Sequence, residues 1–380
     1  MTYAEALARL LALRGGEHTG MRPGLERIEA LLDALGRPER AYTIAQIGGT
    51  NGKGSVAALL AAALRAQGRR VGLFTSPHLV SFRERIRVDG LAISEDALAD
   101  GVEALGTLVA RLDASVFEAT TALALDHFAR EAVDVAVLEV GLGGRYDSTT
   151  VGRPAVSVLT SIDLDHQEYL GDTVTAIAAE KSYIIRSGTA IAAAQVPDVT
   201  AILEARAAAV GVPLLREGRD LGVTLRARGL DGQRLDLAGP DWRHDDVAIQ
   251  LLGAYQPTNA LLAAAAARVL GEARIVKSGV GTADDLKSLK KLVAFHDKSV
   301  ADLGAIAQRH GLQQSGVRNL AGLFLGFRIP KGTKTSNWAR STLTEQQIVY
   351  AATDAWACRE LYLRFEKLGL NHAEGEPAAR

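Results

Sequence analysis

The amino-acid sequence predicts an α/β protein in which a parallel sheet is covered by helices on both faces and a mainly helical part follows. From Met1 to about Gly271, short apolar β-rich runs alternate with Ala/Leu-rich helical stretches, which is the pattern of βαβ units. A glycine-rich segment, 48–55, sits between one such strand and the next helix. After Gly271 alanine becomes rarer and lysines cluster, so we place a domain boundary near residues 271–275.

The predicted elements follow one another in a regular order. Continuous, mostly branched or apolar runs predict buried strands at Ile44–Ile47, Val71–Phe74, Val135–Val140 and Val156–Thr160. Helices are predicted at Val56–Gln67, Phe117–Arg130 and Ala260–Leu270. Residues 212–250 alternate Leu and Val with Arg and carry Gly-Pro breaks, which predicts smaller antiparallel strands.

The composition limits the classes of function. The 380 residues are 48% hydrophobic and carry a net charge of -1, so no overall basic field indicates a nucleic-acid partner. The single cysteine, Cys358, excludes an internal disulfide and fits a reducing compartment. Met1 to Gly15 predicts an amphipathic helix rather than a signal peptide, and no apolar run reaches the roughly 18 residues of a membrane span. We therefore expect a cytoplasmic monomer without membrane contact.

The segment from Gly48 to Ser55, Gly-Gly-Thr-Asn-Gly-Lys-Gly-Ser, has the context of a phosphate-binding loop. Glycines let backbone N–H groups turn toward a phosphate, and the start of a helix adds positive potential. Lys53 can neutralise charge on the β- and γ-phosphates, and Ser55 can reach a metal ion or a phosphate oxygen. Because Gly54 separates Lys53 from Ser55, the general P-loop pattern is not met. A glycine-rich turn with a chance lysine is the alternative.

Several ordered segments resemble the folylpolyglutamate synthase/dihydrofolate synthase group of the Mur ligase family. They are Gly49–Ser55 (GTNGKGS), Thr75–Leu79 with Glu84–Ile86 (TSPHL and ERI), Glu139–Asp147 (EVGLGGRYD), Asp165–Lys181 (DH, LGDT and EK) and Leu252–Ala260 (LGAYQPTNA). Tyr255 stands where the family usually has histidine. The resemblance implies a P-loop ligase that uses ATP and Mg²⁺ to join L-glutamate to dihydropteroate or folate through an acyl phosphate.

The resemblance also assigns roles to individual residues. ATP would be held by Gly49, Thr50, Asn51, Gly52, Lys53, Gly54 and Ser55, with Asn259 at the adenine. The Mg²⁺ ligands would be Ser55, Ser76, Glu139 and His166, and the catalytic residues Lys53, Glu139, His166 and Lys181. In the family a lysine at the position of Lys181 is carbamylated. The pterin side of the substrate would meet Phe82, Arg85, Phe117 and Glu118.

Each of these assignments has a structural alternative. Glu139 could be a solvated acid at a strand end, His166 a hydrogen-bonded core or surface histidine, and Lys181 a surface lysine. Asn259 could be a polar residue at a helix N-terminus, and Phe117 could belong to the core. In addition, the second Rossmann-like domain of the family, with its Asp-Gly-Ala-His-Asn segment, has no counterpart after Gly271. We therefore expect nucleotide binding with impaired ligation.

The C-terminal part has a different resemblance. Ile275–Gly281 with Asp284-Asp285-Leu286, and Tyr350–Ala355, resemble the second and third motifs of DEDDy 3′–5′ exonucleases of the ribonuclease D/Werner type. The resemblance implies a partial ribonuclease-H-like domain in which Asp285, Tyr350 and Asp354 are what is left of a metal site. The first motif, Asp-x-Glu, occurs nowhere in the 380 residues.

Three functional hypotheses follow for a chain divided into residues 1–271, 272–368 and a disordered tail, 369–380. The first is the ATP-dependent ligase with small-molecule substrates. The second is a metal-dependent 3′–5′ exonuclease or nucleic-acid-binding module, in which nucleic acid is contacted only through the C-terminal fragment. The third is a non-catalytic ATP-binding fusion product.

Overall fold

The computed structural model describes most of the chain. The described residues are 1–14, 23–272, 277–279, 300–312, 315–327, 329, 344, 353, 357, 358, 360–362, 364, 365, 368 and 370. The chain divides into two compact units, Met1–Ala273 and Arg274–Arg380, which we describe separately.

An eight-stranded sheet forms the centre of the first unit. Its strands are β1 Thr43–Gly48, β2 Val71–Phe74, β3 Ile86–Val88, β4 Leu91–Ala92, β5 Val135–Glu139, β6 Pro154–Leu159, β7 Thr189–Ala192 and β8 Leu214–Arg216. Their order is β4-β3-β2-β5-β1-β6-β7-β8, and only β3 and β4 run antiparallel to their neighbours. The predicted mainly parallel α/β fold is confirmed.

Helices cover both faces of this sheet. They are α1 Tyr3–Leu11, α2 Glu26–Ala34, α3 Lys53–Ala66, α4 Glu95–Leu105, α5 Leu108–Arg111, α6 Val116–Arg130, α7 Gln167–Leu170, α8 Val174–Ser182, α9 Pro197–Ala209 and α10 Gln256–Glu272, with 3₁₀ helices Pro38–Arg40 and Phe82–Arg85. The predicted helices at Val56–Gln67, Phe117–Arg130 and Ala260–Leu270 correspond to α3, α6 and α10. The predicted N-terminal helix ends at Leu11.

The alternation of side chains along the strands explains why both faces need covering. In β5, Val135 and Val137 belong to the apolar cluster that includes helices α3 and α10. Ala136 and Leu138 belong to the opposite cluster, which includes α2, α4 and α6. All five residues of β5 are buried because successive side chains of a central strand enter opposite layers.

The stretch 212–250 is only partly what its pattern predicts. An antiparallel sheet is formed by β9 Gly222–Gly229, β10 Gly232–Gly239 and β11 Trp242–Ile249, as expected. Residues 214–216 are different, because they form β8 and extend the main sheet in parallel with β7 after the crossover helix α9. Their assignment to the antiparallel sheet is therefore wrong.

The second unit is described in shorter pieces. Two strands, β12 Lys277–Gly279 and β13 Val300–Asp302, pair in parallel, and helices α11 Leu303–Arg309 and α12 Val317–Phe324 follow. Leu303, Leu320 and Phe365 belong to a common apolar cluster and are buried. Among the described residues of the chain, no helix is both long and apolar enough to cross a bilayer.

Candidate active site

The glycine-rich segment runs from the end of β1 into the first turn of α3. Gly49 has φ +131°, and a Cβ there would lie 2.0 Å from Thr160 Oγ1. Gly52 has φ +91°, and a Cβ there would lie 2.5 Å from Asn259 Oδ1. Both positions therefore require glycine, which explains two of the glycines that the sequence places here. The N–H of Thr50 donates to the carbonyl of Ser161 at 2.8 Å, so the loop is anchored beyond the end of β6.

Two lysines converge on this loop. Lys53 Nζ donates to the carbonyl oxygens of Gly49 and Thr50 at 3.2 Å and 3.0 Å. Lys181, on α8 and 2% exposed, donates from Nζ to the same Gly49 oxygen at 2.8 Å. Burial lowers the pKa of Lys181 to about 8, and the charge of Lys53 acts in the same direction. The start of α3 thus carries concentrated positive charge, which suits a phosphate.

Glu139 brings a carboxylate to the same edge of the sheet. It is the last residue of β5, pairs in register with Ile47 of β1, and is 5% exposed. Its Oε2 accepts the N–H of Ser76 at 3.0 Å, and a Cβ on Gly54 would lie 3.4 Å from its Oε1. Burial raises the pKa of Glu139, while the Ser76 N–H and the charge of Lys53 oppose that rise. A buried carboxylate therefore lies beside the phosphate loop.

The donor atoms near Glu139 fit Mg²⁺ better than a metal that needs a full protein cage. Ser55 Oγ lies 3.4 Å from Gln256 Nε2, and the Ser76 backbone contacts Glu139. The described residues contain no group of three or more His, Cys, Asp or Glu side chains able to hold a metal ion. Mg²⁺ commonly takes one or two carboxylates and completes its shell with phosphates and water. Glu139 supplies one such carboxylate.

His166 makes no hydrogen bond or ion pair with this group. It has φ +47°, lies at the start of α7, and its ring nitrogen Nε2 is 3.6 Å from Asp165 Oδ1. Its side chain is 51% exposed. The structure records no contact of His166 with Ser55, Ser76 or Glu139, so its role as a metal ligand stays a prediction.

Asn259 and Gln256 support the loop from α10. Asn259 is buried, donates from Nδ2 to Gln256 Oε1 at 3.0 Å, and lies against Gly52. Gln256 in turn reaches Ser55. Sequence reasoning missed Gln256, although it lies three positions before Asn259 on one face of a helix, a spacing that could have found it. An adenine contact of Asn259 stays a prediction.

The residues assigned to the pterin side do not share one environment. Phe82 and Arg85 are buried together, with the guanidinium 5.1 Å from the Phe82 ring centroid. Arg85 Nε also donates to His78 Nδ1 at 3.0 Å. Phe117 lies between Phe74, at a ring-centroid distance of 5.8 Å, and the backbone of Gly141. These contacts place Phe117 close to the segment that follows Glu139.

Glu118 has a structural environment that the sequence assignment did not anticipate. Its Oε1 accepts Nε of Arg27 at 2.8 Å, and its Oε2 accepts the N–H of Ser115 at 2.7 Å. The residue is 5% exposed and completes the capping box of α6. Since both carboxylate oxygens are used inside the fold, we do not carry Glu118 into the substrate site. The Ser-x-x-Glu spacing of the capping box was the signal for this role.

The exonuclease-like residues cannot be placed in the same way. Asp285, Tyr350 and Asp354 lie outside the described residues.

Comparisons with known proteins identify the family of the first unit. Residues 47–267 match the family model of the Mur ligase middle domain. The folylpolyglutamate synthase of Lacticaseibacillus casei is 40% identical over 277 residues, which cover 71% of this chain and 64% of that enzyme. The chain thus spans less than two thirds of that relative.

Solved structures are similar as well. The Mycobacterium tuberculosis folylpolyglutamate synthase complexed with ADP has a TM-score of 0.66 and 37% identity, covering 71% of this chain and 62% of that one. An FPGS–AMPPCP–folate complex has a TM-score of 0.68 and 31% identity, with 93% of each chain covered.

A second family model matches the C-terminal part. Residues 243–369 match a 3′–5′ exonuclease family. This match begins within β11 and includes α10, so it overlaps the Mur ligase match over residues 243–267.

Proposed function

The chain belongs to the Mur ligase family, and we propose that it binds Mg·ATP as the nucleotide-binding part of a folylpolyglutamate synthase/dihydrofolate synthase. The reaction we assign to that enzyme joins L-glutamate to dihydropteroate or folate, with ATP converting the acceptor carboxylate to an acyl phosphate. We propose residues 1–271 as the ligase part, 272–368 as the exonuclease-like part and 369–380 as a tail, in a cytoplasmic monomer.

The observation that carries this proposal is the convergence of Lys53 and Lys181 on the Gly49 carbonyl oxygen. The two ammonium groups share one neutral acceptor at a helix N-terminus and form no salt bridge in the described chain, although Asp147 and Asp165 act on Lys181 from a distance. A phosphate group would supply the missing negative charge. The ADP and AMPPCP complexes of related synthases support a nucleotide as the source of that phosphate.

We assign the roles of the residues from the family resemblance. Backbone N–H groups from Gly49 to Ser55 would hold the phosphates, and Lys53 would neutralise them. Bound Mg²⁺ would stabilise the charge that develops during phosphoryl transfer, held by Ser55, Ser76, Glu139 and His166. Asn259 would meet adenine, and Phe82, Arg85 and Phe117 would line the pterin side.

Lys181 is suited to carbamylation by its buried position. The pKa of about 8 leaves a substantial neutral fraction near pH 8. A neutral amine adds to CO₂, forming a C–N bond and releasing one proton, and the product is a carbamate anion. We propose that this conversion replaces one of the two crowded positive charges with a negative one that helps to place magnesium.

Calorimetry with ADP and AMPPCP in the presence of Mg²⁺ tests the nucleotide site. Lys53→Ala removes the flexible cation of the loop and should weaken binding by about 1–3 kcal/mol, the scale of a charge-assisted hydrogen bond. Arg65→Ala is the matched control, because it removes a positive charge from the last turn of the same helix. Equal affinities of wild type and Lys53→Ala would show that this loop does not hold phosphate.

The second candidate function rests on the exonuclease family match of residues 243–369. We propose that this part derives from a DEDDy enzyme, contacts nucleic acid at most, and does not cleave it. Two-metal phosphodiester cleavage requires enough carboxylates to hold both ions, and Asp-x-Glu is absent from the sequence. Stepwise 3′ shortening of labelled single-stranded DNA by wild type, but not by Asp354→Asn, would favour the exonuclease instead.

A further inference from the structure

Arg186 is a largely buried cation to which the proposed chemistry gives no role. Its guanidinium donates to the carbonyl oxygens of Thr150 and Gly152 at 3.1 Å and 2.8 Å and to Gln46 Oε1 at 2.9 Å. Burial lowers its pKa to about 10, and the nearby positive charge of Arg206 acts in the same direction. Within the described part of the chain, no salt bridge of Arg186 to a carboxylate is found, so neutral oxygens alone hold the charge. Burying a charge that only neutral oxygens compensate costs free energy of folding. The hydrogen bonds of Arg186 are therefore expected to hold a particular part of the fold in place.

Gln46 connects Arg186 to the centre of the sheet through hydrogen bonds. It lies on β1 with no exposed surface, in the strand that ends at the phosphate loop. Because Oε1 accepts from Arg186, Nε2 faces the other way and donates to Thr149 Oγ1 at 3.1 Å and Thr150 Oγ1 at 2.8 Å. The cation thus fixes which side of the amide donates.

The two threonines continue the network to the segment 141–150, which follows β5. Thr149 Oγ1 donates to Asp147 Oδ1, and Asp147 Oδ2 accepts the N–H groups of Gly141 and Leu142, each at 2.9 Å. Thr150 Oγ1 donates to the Gly144 carbonyl at 2.6 Å. One branch of the network runs from the guanidinium through Gln46 and Thr149 to the Asp147 carboxylate, and the other ends through Thr150 at the Gly144 carbonyl. The segment 141–150 is therefore tied to β1 at its end, and Asp147 and Thr150 hold its beginning and middle to that end.

This segment connects two groups of the candidate site. Gly141 follows Glu139 after one residue, so the bonds to Asp147 set the direction in which the chain leaves β5. Gly144 packs on the end of α8, where a Cβ would lie 2.9 Å from the Lys181 carbonyl oxygen and 3.1 Å from its Cα. The segment thus connects the strand end that carries Glu139 with the helix end that carries Lys181.

We propose that Arg186 and Gln46 are positioning residues that fix the segment 141–150, and through it Glu139 and Lys181, for Mg·ATP. The metal-binding consequence rests on the proposed function. The consequence for the segment itself does not, because it follows from the hydrogen bonds alone. Partners that orient metal ligands from the second layer commonly change metal affinity when they are replaced.

Arg186→Met and Gln46→Leu test the proposal, with Arg216→Met as the matched control. Arg216 is also partly exposed and, like Arg186, has a buried Nε without a hydrogen-bond partner, but it lies on β8 and pairs with Glu204 at 2.9 Å. Hydrogen–deuterium exchange of residues 141–150 is measured without metal or nucleotide. The apparent Mg²⁺ concentration for half-maximal ADP binding is measured separately, together with ADP affinity in the absence of metal.

We expect faster exchange of residues 141–150 in both test variants and wild-type exchange of this segment in Arg216→Met. The Mg²⁺ requirement should rise by about 10-fold or more in the test variants, as for other second-layer partners, while metal-free ADP affinity stays close to that of wild type. Arg186→Lys, which keeps the charge but loses the multiple bonds, should lie between wild type and Arg186→Met.

Several results would overturn the proposal. One is unchanged exchange of residues 141–150 in the test variants. Another is a parallel loss in Arg186→Met and Arg216→Met, since that would show only the general cost of removing a partly buried arginine. If Arg186→Met does not fold, the same criteria apply to Arg186→Lys and Gln46→Leu. Absence of Mg²⁺-dependent ADP binding in wild type would contradict the proposed function, and the exchange result would still decide the positioning role.

Discussion

Positive charges are compensated differently in two places of the first unit, around the glycine-rich segment 48–55 and at the start of α6. Lys53 and Lys181 both donate to the Gly49 carbonyl, and no salt bridge neutralises either lysine within the described chain. Arg27 and Glu118, by contrast, form a direct pair at 2.8 Å that also completes a helix cap. A buried cation that forms no salt bridge at a sheet edge indicates a ligand site, whereas a cation paired with a buried carboxylate indicates a structural role. This comparison separates the residues we assign to nucleotide binding from Glu118.

The largest expected effect is slow ligation of glutamate in a chain that still binds the nucleotide. The purified chain should bind Mg·ATP but ligate glutamate to dihydropteroate far more slowly than a synthase that carries the Asp-Gly-Ala-His-Asn domain. Positioning of two reactants contributes roughly 7–11 kcal/mol to lowering a barrier, and the Asp-Gly-Ala-His-Asn segment, which we expect to take part in that positioning, is absent from this sequence. The measurement is product formation beside a full-length synthase under the same conditions. Robust glutamylation by this chain would contradict the expected impairment of ligation.

The next effect concerns the pair of Arg27 and Glu118. Glu118→Gln should lower the free energy of unfolding by about 1–3 kcal/mol, because it removes the negative charge that accepts from Arg27 Nε while the pair of Arg27 with Glu26 is kept. ADP affinity should stay at the wild-type value in the folded variant. Chemical denaturation and calorimetry measure the two quantities. A loss of ADP or folate binding without a loss of stability would return Glu118 to the substrate site.

Lys181 should have the opposite effect from Glu118, because its charged form should destabilise the folded protein. The pKa of Lys181 in the folded protein, about 8, lies below the ordinary value of 10.5, so the unfolded chain binds more protons between these pH values. In CO₂-free buffer, the stability of wild type relative to Lys181→Met should therefore be lowest below pH 8 and should rise toward pH 10.5. The full difference is on the order of 3 kcal/mol. Arg65→Met serves as the control and should show no such pH dependence. If the difference in the free energy of unfolding between wild type and Lys181→Met does not change with pH, the pKa of Lys181 is not lowered in the folded protein.

Local patterns in the sequence predicted the fold class of the first unit and the strands β1, β2, β5 and β6 of its main sheet. Strands such as Val135–Val140 are buried on both sides and therefore appear as continuous apolar runs. The three-residue strand β8 was missed because so short a run carries no periodicity of its own, and its pairing with β7 depends on the crossover through α9.

The sequence predicted those residues of the site that lie close together along the chain. Lys53 and Ser55 belong to one loop and were found together. The meeting of Lys181 with Gly49 joins residues 132 positions apart, and only the motif resemblance indicated it. Arg186 and Gln46, 140 positions apart, had no such signal, because a glutamine inside an apolar strand reveals its partner only after folding.

The most direct test of the central claim is a crystal structure of this chain with AMPPCP and Mg²⁺. We expect Lys53 Nζ to leave the Gly49 and Thr50 carbonyl oxygens and contact a phosphate, with the N–H groups of the Gly49–Ser55 loop facing the same anion. Glu139 should lie on the metal side of the nucleotide. Nucleotide bound elsewhere, with Lys53 still donating to Gly49, would contradict the account.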